Sequence, residues 1–316
     1  MFHAASPRYD TREPTMSLSV CAEPKELSVP KLRARLRKEV GARLVGRGRR
    51  AAFAPVHKDG SLGRRVPGLT KRLAARLFSG GAFPSAAARG RSTFERAAGL
   101  PKLPKLPKLP KLPKLSGHCK APRALGPRGS KRWRGPKAGF RRGADVDRQL
   151  SQLANGRKLR KGTKAFHLTR VVLAALARAG LEPVMGQFGV SSVAGALGTA
   201  ADLLCLDASK CTLWVVELKT GYRQGRAQAA MQSGRPQQMR GLLSDAPDCL
   251  CNRHMAQLAA TTAMFRSTPG LAELLPELGV ESVQGLLLYA TDEDVEYVEM
   301  QAWWAERGGA IVDACC

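Results

Sequence analysis

All of the net charge of this chain sits in its first half, and that imbalance separates the part that can collapse into a core from the part that resists it. Residues 1–150 carry 36 Lys and Arg against 9 Asp and Glu, a net +27, whereas residues 151–316 carry 16 of each. Crowded like charges oppose burial. The expectation is therefore a long basic, largely disordered arm over 1–144, followed by a neutral folded domain over 145–316. The second stretch is long enough for a core of its own. A basic arm calls for a polyanion. Nucleic acid is the first choice, through phosphate neutralisation and counterion release; an anionic membrane surface and a targeting role are the alternatives.

The arm has its own texture. Residues 29–52 are basic with Leu32, Leu36, Val40 and Leu44 at helical spacing, a pattern suited to an amphipathic helix formed on an anionic partner. Residues 101–115 are five copies of Pro-Lys-Leu. Proline at every third position excludes an α-helix and matches the three-residue turn of polyproline II. The result would be a cationic rod of roughly 45 Å, with lysines along one edge. The stretch "KRWRGPK" at 131–137 offers Lys131, Arg132 and Arg134 to phosphates and Trp133 to a base, or else reads as an import signal. An organelle transit segment is the other reading of the acid-poor N-terminus.

Eight cysteines are present and none stands in C-x-x-C spacing, so the common zinc frameworks are excluded. Cys205 and Cys211 fall within apolar strand patterns and are expected to be buried thiols. No run of about 18 apolar residues suggests a membrane span, and an apolar signal core is lacking. The protein is expected to be intracellular, in a nucleus or nucleoid, with an organelle as the alternative.

The second half alternates in type. Residues 162–180 repeat apolar side chains at helical spacing and stop at Gly180. Residues 182–192 predict a strand, as do "AADLLCLD" and "CTLWVVELKT" around a turn at Ser209-Lys210. A polar, Gln- and Arg-rich loop follows at 221–243. Residues 252–267 predict a helix, and 282–291 and 294–303 two further strands. This order makes an α/β fold, a mixed sheet flanked by helices.

The chemistry gathers at the end of the hairpin. Side chains alternate faces along a strand, so Glu217 and Lys219 share one face. A turn centred on Ser209-Lys210 sets Asp202 opposite Glu217. Two carboxylates that close repel unless a cation lies between them, and hard divalent ions with oxygen ligands, Mg²⁺ or Mn²⁺, satisfy that need. Lys219 beside them is suited to orienting a water or steadying charge on a phosphate. A pair of ordinary surface ion pairs is the plain alternative.

The pattern Asp202, fourteen residues, then Glu217-x-Lys219 across a hairpin, after one helix and before another, resembles the PD-(D/E)XK nuclease superfamily over residues 150 to about 305. It is similar to the RecB/Cas4-like exonuclease domains. It is also similar to the herpesvirus conserved nuclear proteins with an endonuclease-like motif, through "ELKT" and a following helical "QL". The resemblance implies a restriction-endonuclease-like fold. It implies that His167, after Gly162, is a metal ligand beside Asp202, Glu217 and the carbonyl of Leu218. It implies further that Gln257 places the lysine or the DNA. Gly198 before Asp202 also fits. Ala201 stands where the family usually has proline, Thr261 where it often has an aromatic residue, and the helix 163–179 carries no acid. Tyr222 and Arg223, just past the lysine, stand where a substrate strand would pass. His254, one turn before Gln257, reads as a structural residue.

These expectations converge on a metal-dependent nuclease acting on DNA rather than RNA, with the arm as a nonspecific anchor. The alternative is an inactive nucleic-acid-binding or packaging protein that keeps the nuclease fold.

Overall fold

The structure, a computed structural model, describes residues 28–39, 42–45, 52–57, 59, 61–78, 136–159, 166–222, 224, 227 and 237–316. The Pro-Lys-Leu repeat, Lys131, Arg132, Arg134, Gly162 and Arg223 lie outside the described residues.

Short apolar runs joined by tight turns pair antiparallel. β3 (Glu182–Ser191), β4 (Gly198–Asp207) and β5 (Thr212–Thr220) do so as a meander. A long connection instead permits a crossover, and β6 (Ser282–Ala290) runs parallel to β5 after two helices, α5 (Leu250–Arg266) and α6 (Leu271–Glu277). β7 (Val295–Glu299) closes the edge, giving a mixed five-stranded sheet in the order β3-β4-β5-β6-β7.

The sheet is buried on both faces. Leu204, Leu206, Leu213, Val215, Leu287 and Tyr289 enter one core, which α5, α6 and α7 (Ala302–Cys315) cover. Leu203, Cys205, Trp214, Val216, Leu286 and Leu288 enter the other, beneath α3 (Pro136–Ala154) and α4 (His167–Arg178). The α/β class and the helix-flanked mixed sheet are thus as expected. Among the described residues no helix is long and apolar enough to cross a membrane.

Three local expectations give way. The stretch 294–303 is a strand only to Glu299, and Ala302 begins α7. Paired glycines at 308–309 weaken the helical signal. A Cβ at Gly308 would lie 2.7 Å from the carbonyl of Ala259, so the glycine is what lets α7 lie against α5. Cys205 is buried, but Cys211 is only half-buried and ends a one-turn 3₁₀ segment with φ 49°. α3 begins at Pro136, inside the stretch expected to be loose; proline suits a first helical turn.

The largest departure is in the arm. Residues 29–36 do form a helix, α1 (Val29–Leu36), but its Leu32 and Leu36 are buried in this chain's own core rather than on an anionic partner. Arg33 donates from Nε to the carbonyl of Val184 at 2.7 Å and from Nη2 to that of Pro183 at 3.2 Å. β1 (Ala42–Val45) and β2 (Ala52–Pro55) form a hairpin, and Gly68 bridges to Gly198 at the start of β4. A Cβ at Gly198 would fall 2.3 Å from that of Phe53, so glycine is required for this close approach. α2 (Leu69–Arg76) buries Leu69 and Leu73, and Leu77 follows one turn on. The surrounding charge pointed the Leu32–Leu36 stripe to an external partner and hid the Leu69–Leu73 stripe, but burial of both in the core outweighs the charge around them.

Leu36→Ala and Leu73→Ala each empty a fully buried position. Each is expected to destabilise the domain as a whole by about 2–5 kcal/mol, read from the midpoint of denaturant unfolding. An unchanged midpoint in both would detach the N-terminal segment from the core.

Candidate active site

The site arises where β4 and β5 part. Their pairing runs from Asp207 opposite Thr212 to Leu203 opposite Val216. The register is held by Asp207, whose Oδ1 accepts from the N–H groups of Ser209 at 3.1 Å and Lys210 at 3.3 Å in the turn. The next step along each strand is Asp202 and Glu217, and there the ladder ends. Asp202 Oδ2 instead accepts from the N–H of Leu218 at 2.9 Å. The N–H and C=O of one strand residue point to the same edge, so the Leu218 carbonyl faces this opening too.

Glu217 is 3% exposed. Its Oε1 accepts from Lys219 Nζ at 2.5 Å and from Gln257 Nε2 at 2.8 Å. Gln257, reaching in from α5, also takes a hydrogen bond from Lys219 Nζ at 3.3 Å on its own Oε1. The three side chains close a triangle that leaves the buried carboxylate oxygen doubly paired, as burial of a charge demands.

Two further residues, unforeseen from sequence, complete the cluster. Asp147 comes from α3, and Gln187 from β3. Gln187 Nε2 donates to Asp147 Oδ1 at 2.9 Å, to its Oδ2 at 3.0 Å, and to Asp202 Oδ1 at 3.2 Å. The missing acid of the helix 163–179 is therefore matched by one on the preceding helix. Asp147 had a readable signal: Val146, Leu150 and Ala154 repeat at i, i+4, i+8 and all are buried. Gln187 had none.

Three carboxyls with one ammonium hold more negative charge than they can neutralise. Burial, then Asp202, pushes the Glu217 carboxyl up to about 8. Burial, then Asp202, brings Asp147 up to about 7. Burial raises Asp202 as well, while Lys219 and the Leu218 N–H pull it down. Burial pulls Lys219 down, but Glu217 and Asp202 outweigh it and hold the ammonium above its ordinary value.

The other sequence-derived positions fall elsewhere. His167 opens α4, on the opposite sheet face; it is exposed, and its Nε2 faces the carbonyl of Asp292 at 2.9 Å. Tyr222 is half-buried, with its ring edge-on to His254 at 5.7 Å. His254 is buried behind the site, its Nδ1 3.1 Å from the Tyr289 hydroxyl. Lys219 and Tyr289 are neighbours across β5 and β6.

The chain matches no family model, and comparison with curated proteins returns no relative.

Among the described residues no three His, Cys, Asp or Glu side chains are gathered as a metal-binding group. Mg²⁺ keeps most of its waters and is commonly held by one or two carboxylates. Asp202, Glu217 and the Leu218 carbonyl are hard oxygen donors of that kind. Asp202 and Glu217 are the next residues past the last paired positions of β4 and β5, and Glu217 is buried, so a cation between the two carboxyls would relieve their charge and the donors suit a divalent ion.

The same raised carboxyl makes a prediction for metal-free protein. Glu217 has a folded pKa of about 8 against an ordinary value of 4.5. Between those values the folded state binds a proton that the unfolded chain has released, so stability falls as pH rises through that window. Glu217→Gln cannot ionise. It is expected to flatten the fall and to raise the melting temperature at pH 8 relative to the native protein; an unaltered pH slope would assign the loss to other groups.

Proposed function

We propose that this chain is a metal-dependent nuclease of the PD-(D/E)XK type that hydrolyses phosphodiester bonds, with DNA as the substrate. The observation that carries the proposal is the convergence of Asp202, Glu217 and Lys219 at the point where β4 leaves β5, with Gln257 locking the lysine to the glutamate. The element order supports it: a helix, a three-stranded antiparallel meander, two helices, then a strand parallel to the third. That order accords with a restriction-endonuclease-like fold.

Asp202, Glu217 and the Leu218 carbonyl would hold Mg²⁺ or Mn²⁺, with Asp147 as a third carboxylate close by. A bound ion of this kind polarises a phosphate oxygen and lowers the pKa of a water. Lys219 keeps its proton in this setting, so it acts as a fixed donor. It can orient the attacking water or meet the negative charge that grows on the phosphate. Gln257 restrains the lysine, which otherwise has four rotatable bonds to lose.

Charge on the docked N-terminal segment favours a polyanion. Arg64, Arg65, Lys71 and Arg76 are exposed and none is in an ion pair among the described residues. Other exposed cations do have partners, as in Arg35–Glu277 and Arg148–Asp145, and so does the half-buried Arg307, with Asp245. The segment touches β4 at Gly198, and Asp202 lies four residues on, about 13 Å along the strand. A nucleic acid strand that crosses the site therefore passes close to this charge.

The test is cleavage of linear, circular and single-stranded DNA, and of RNA, with Mg²⁺, Mn²⁺ or EDTA. Native protein is expected to cleave only with metal. Glu217→Gln and Lys219→Ala are each expected to reduce the rate by at least about 10²-fold. Cleavage that survives both substitutions would remove this site from the reaction. Intact DNA binding with no cleavage of any substrate would leave the basic segments as the working part of the protein.

A further inference from the structure

β3 reaches the cluster through one residue in an unusual conformation. Gln187 has φ +55°, in the left-handed region that a residue with a side chain adopts only when its surroundings impose it. The β3–β4 ladder pairs Gly186 with Leu203 and Phe188 with Ala201. Gln187, at the level of Asp202, is left out of it. The turned residue spends its amide on two carboxylates from different elements, Asp147 at 2.9 and 3.0 Å and Asp202 at 3.2 Å.

Its neighbour fixes the helix that brings Asp147. Asn155, the residue after the end of α3, donates to the Gly186 carbonyl at 3.2 Å and accepts from the Gly186 N–H at 3.3 Å. A Cβ at Gly186 would lie 2.4 Å from Ser151 Cα, so the helix backbone rests directly on the strand. Asp147 and Ser151 lie at i, i+4 on one face of α3, and Asn155, in the turn that ends the helix, continues that spacing. That face is fastened to β3 at Gly186, and its first member meets Gln187.

We propose that Gln187 is a positioning residue whose amide bolts Asp147 on α3 to Asp202 on β4, and so sets the spacing of the carboxylates that receive a divalent cation. The proposal rests on the nuclease reading and goes beyond it. A neutral amide suits this place. Its two N–H groups draw the carboxylates together, yet it adds no charge, so their joint negative charge stays available to a cation. An ammonium in the same place would spend that charge. The left-handed backbone brings the amide to both acids at once, which accounts for a glutamine held in a conformation that favours glycine.

The experiment is Mn²⁺ binding to the purified full chain by titration calorimetry, with the melting temperature of each metal-free protein measured beside it. Native protein and Glu217→Gln come first. Uptake by the native protein that Glu217→Gln abolishes upholds the metal site; no uptake by the native protein overturns the nuclease reading and the bolt together. With the site upheld, Gln187→Gly is the deciding variant, because glycine accepts the left-handed φ and lacks the amide. It is expected to weaken Mn²⁺ by about 10–100-fold, the usual effect of losing a partner that orients a ligand, with the metal-free melting temperature unchanged or higher. Asp147→Asn added to Gln187→Gly is expected to cost less than the sum of the two single losses, since the link it would cut is already gone. Native affinity in Gln187→Gly, or strictly additive losses, would overturn the bolt while leaving the metal site standing. If Gln187→Gly melts well below the native protein, Gln187→Asn takes its place under the same two outcomes; asparagine tolerates the left-handed region and carries a shorter amide.

Discussion

A carboxylate cannot be buried alone, and Glu217 is buried with two other carboxyls close by. The surrounding structure follows from how that charge is answered. Lys219 lies two residues along the same strand and answers it directly, while Gln257 must be brought from α5. The placement of α5 is in turn secured on its far side by α7, whose backbone comes close at Gly308. On the opposite face of the sheet α3 supplies Asp147, and Gln187 ties it back to Asp202. Elements from both faces are thus drawn to the one place where two strands separate, and the separation itself frees the Leu218 backbone to face the site.

The N-terminal segment changes how the charge imbalance of the chain is understood. A free cationic tail and a cationic segment docked on the sheet are both attracted to phosphate, but only the second has a fixed relation to the carboxylates. α1 and α2 bury their apolar residues in the same core as α5 and turn exposed arginines and lysines outward. Burying a leucine contributes about 1.5–3 kcal/mol, whereas exposed like charges repel weakly through water and salt. A handful of leucines is therefore enough to hold a basic segment in place. Binding and hydrolysis would then be parts of one folded body, and removal of the basic half would remove part of the core as well.

Much of the site was legible because strand geometry is local. Alternation of faces put Glu217 and Lys219 together, and a turn at Ser209-Lys210 brought Asp202 level with Glu217; neither needs knowledge of the rest of the fold. Gln257 entered through resemblance to a family, and the helix that carries it was legible from its apolar spacing. Asp147 was within reach of the same reasoning, but the surrounding positive charge drew the expected boundary across α3. The helix α7 was obscured by its glycines, which weaken a helix locally and are needed for its packing. His167 was placed by analogy of spacing, and α4 carries it to the other face of the sheet with its ring toward the β6–β7 turn.

By itself the sequence determined which stretches become strands and helices, and which acidic and basic side chains share the end of one hairpin. Those outcomes depend on the period of side-chain direction and on a turn of set length, which a few consecutive residues specify. Tertiary structure alone decided that Gln187 turns left-handed to join two acids, that α3 rather than α4 lends the third carboxyl, and that the N-terminal leucines close the core. Each of these depends on distances between elements far apart in the chain. Such distances are settled by close packing and by the need to pair every buried polar group, neither of which is written in any single stretch of residues.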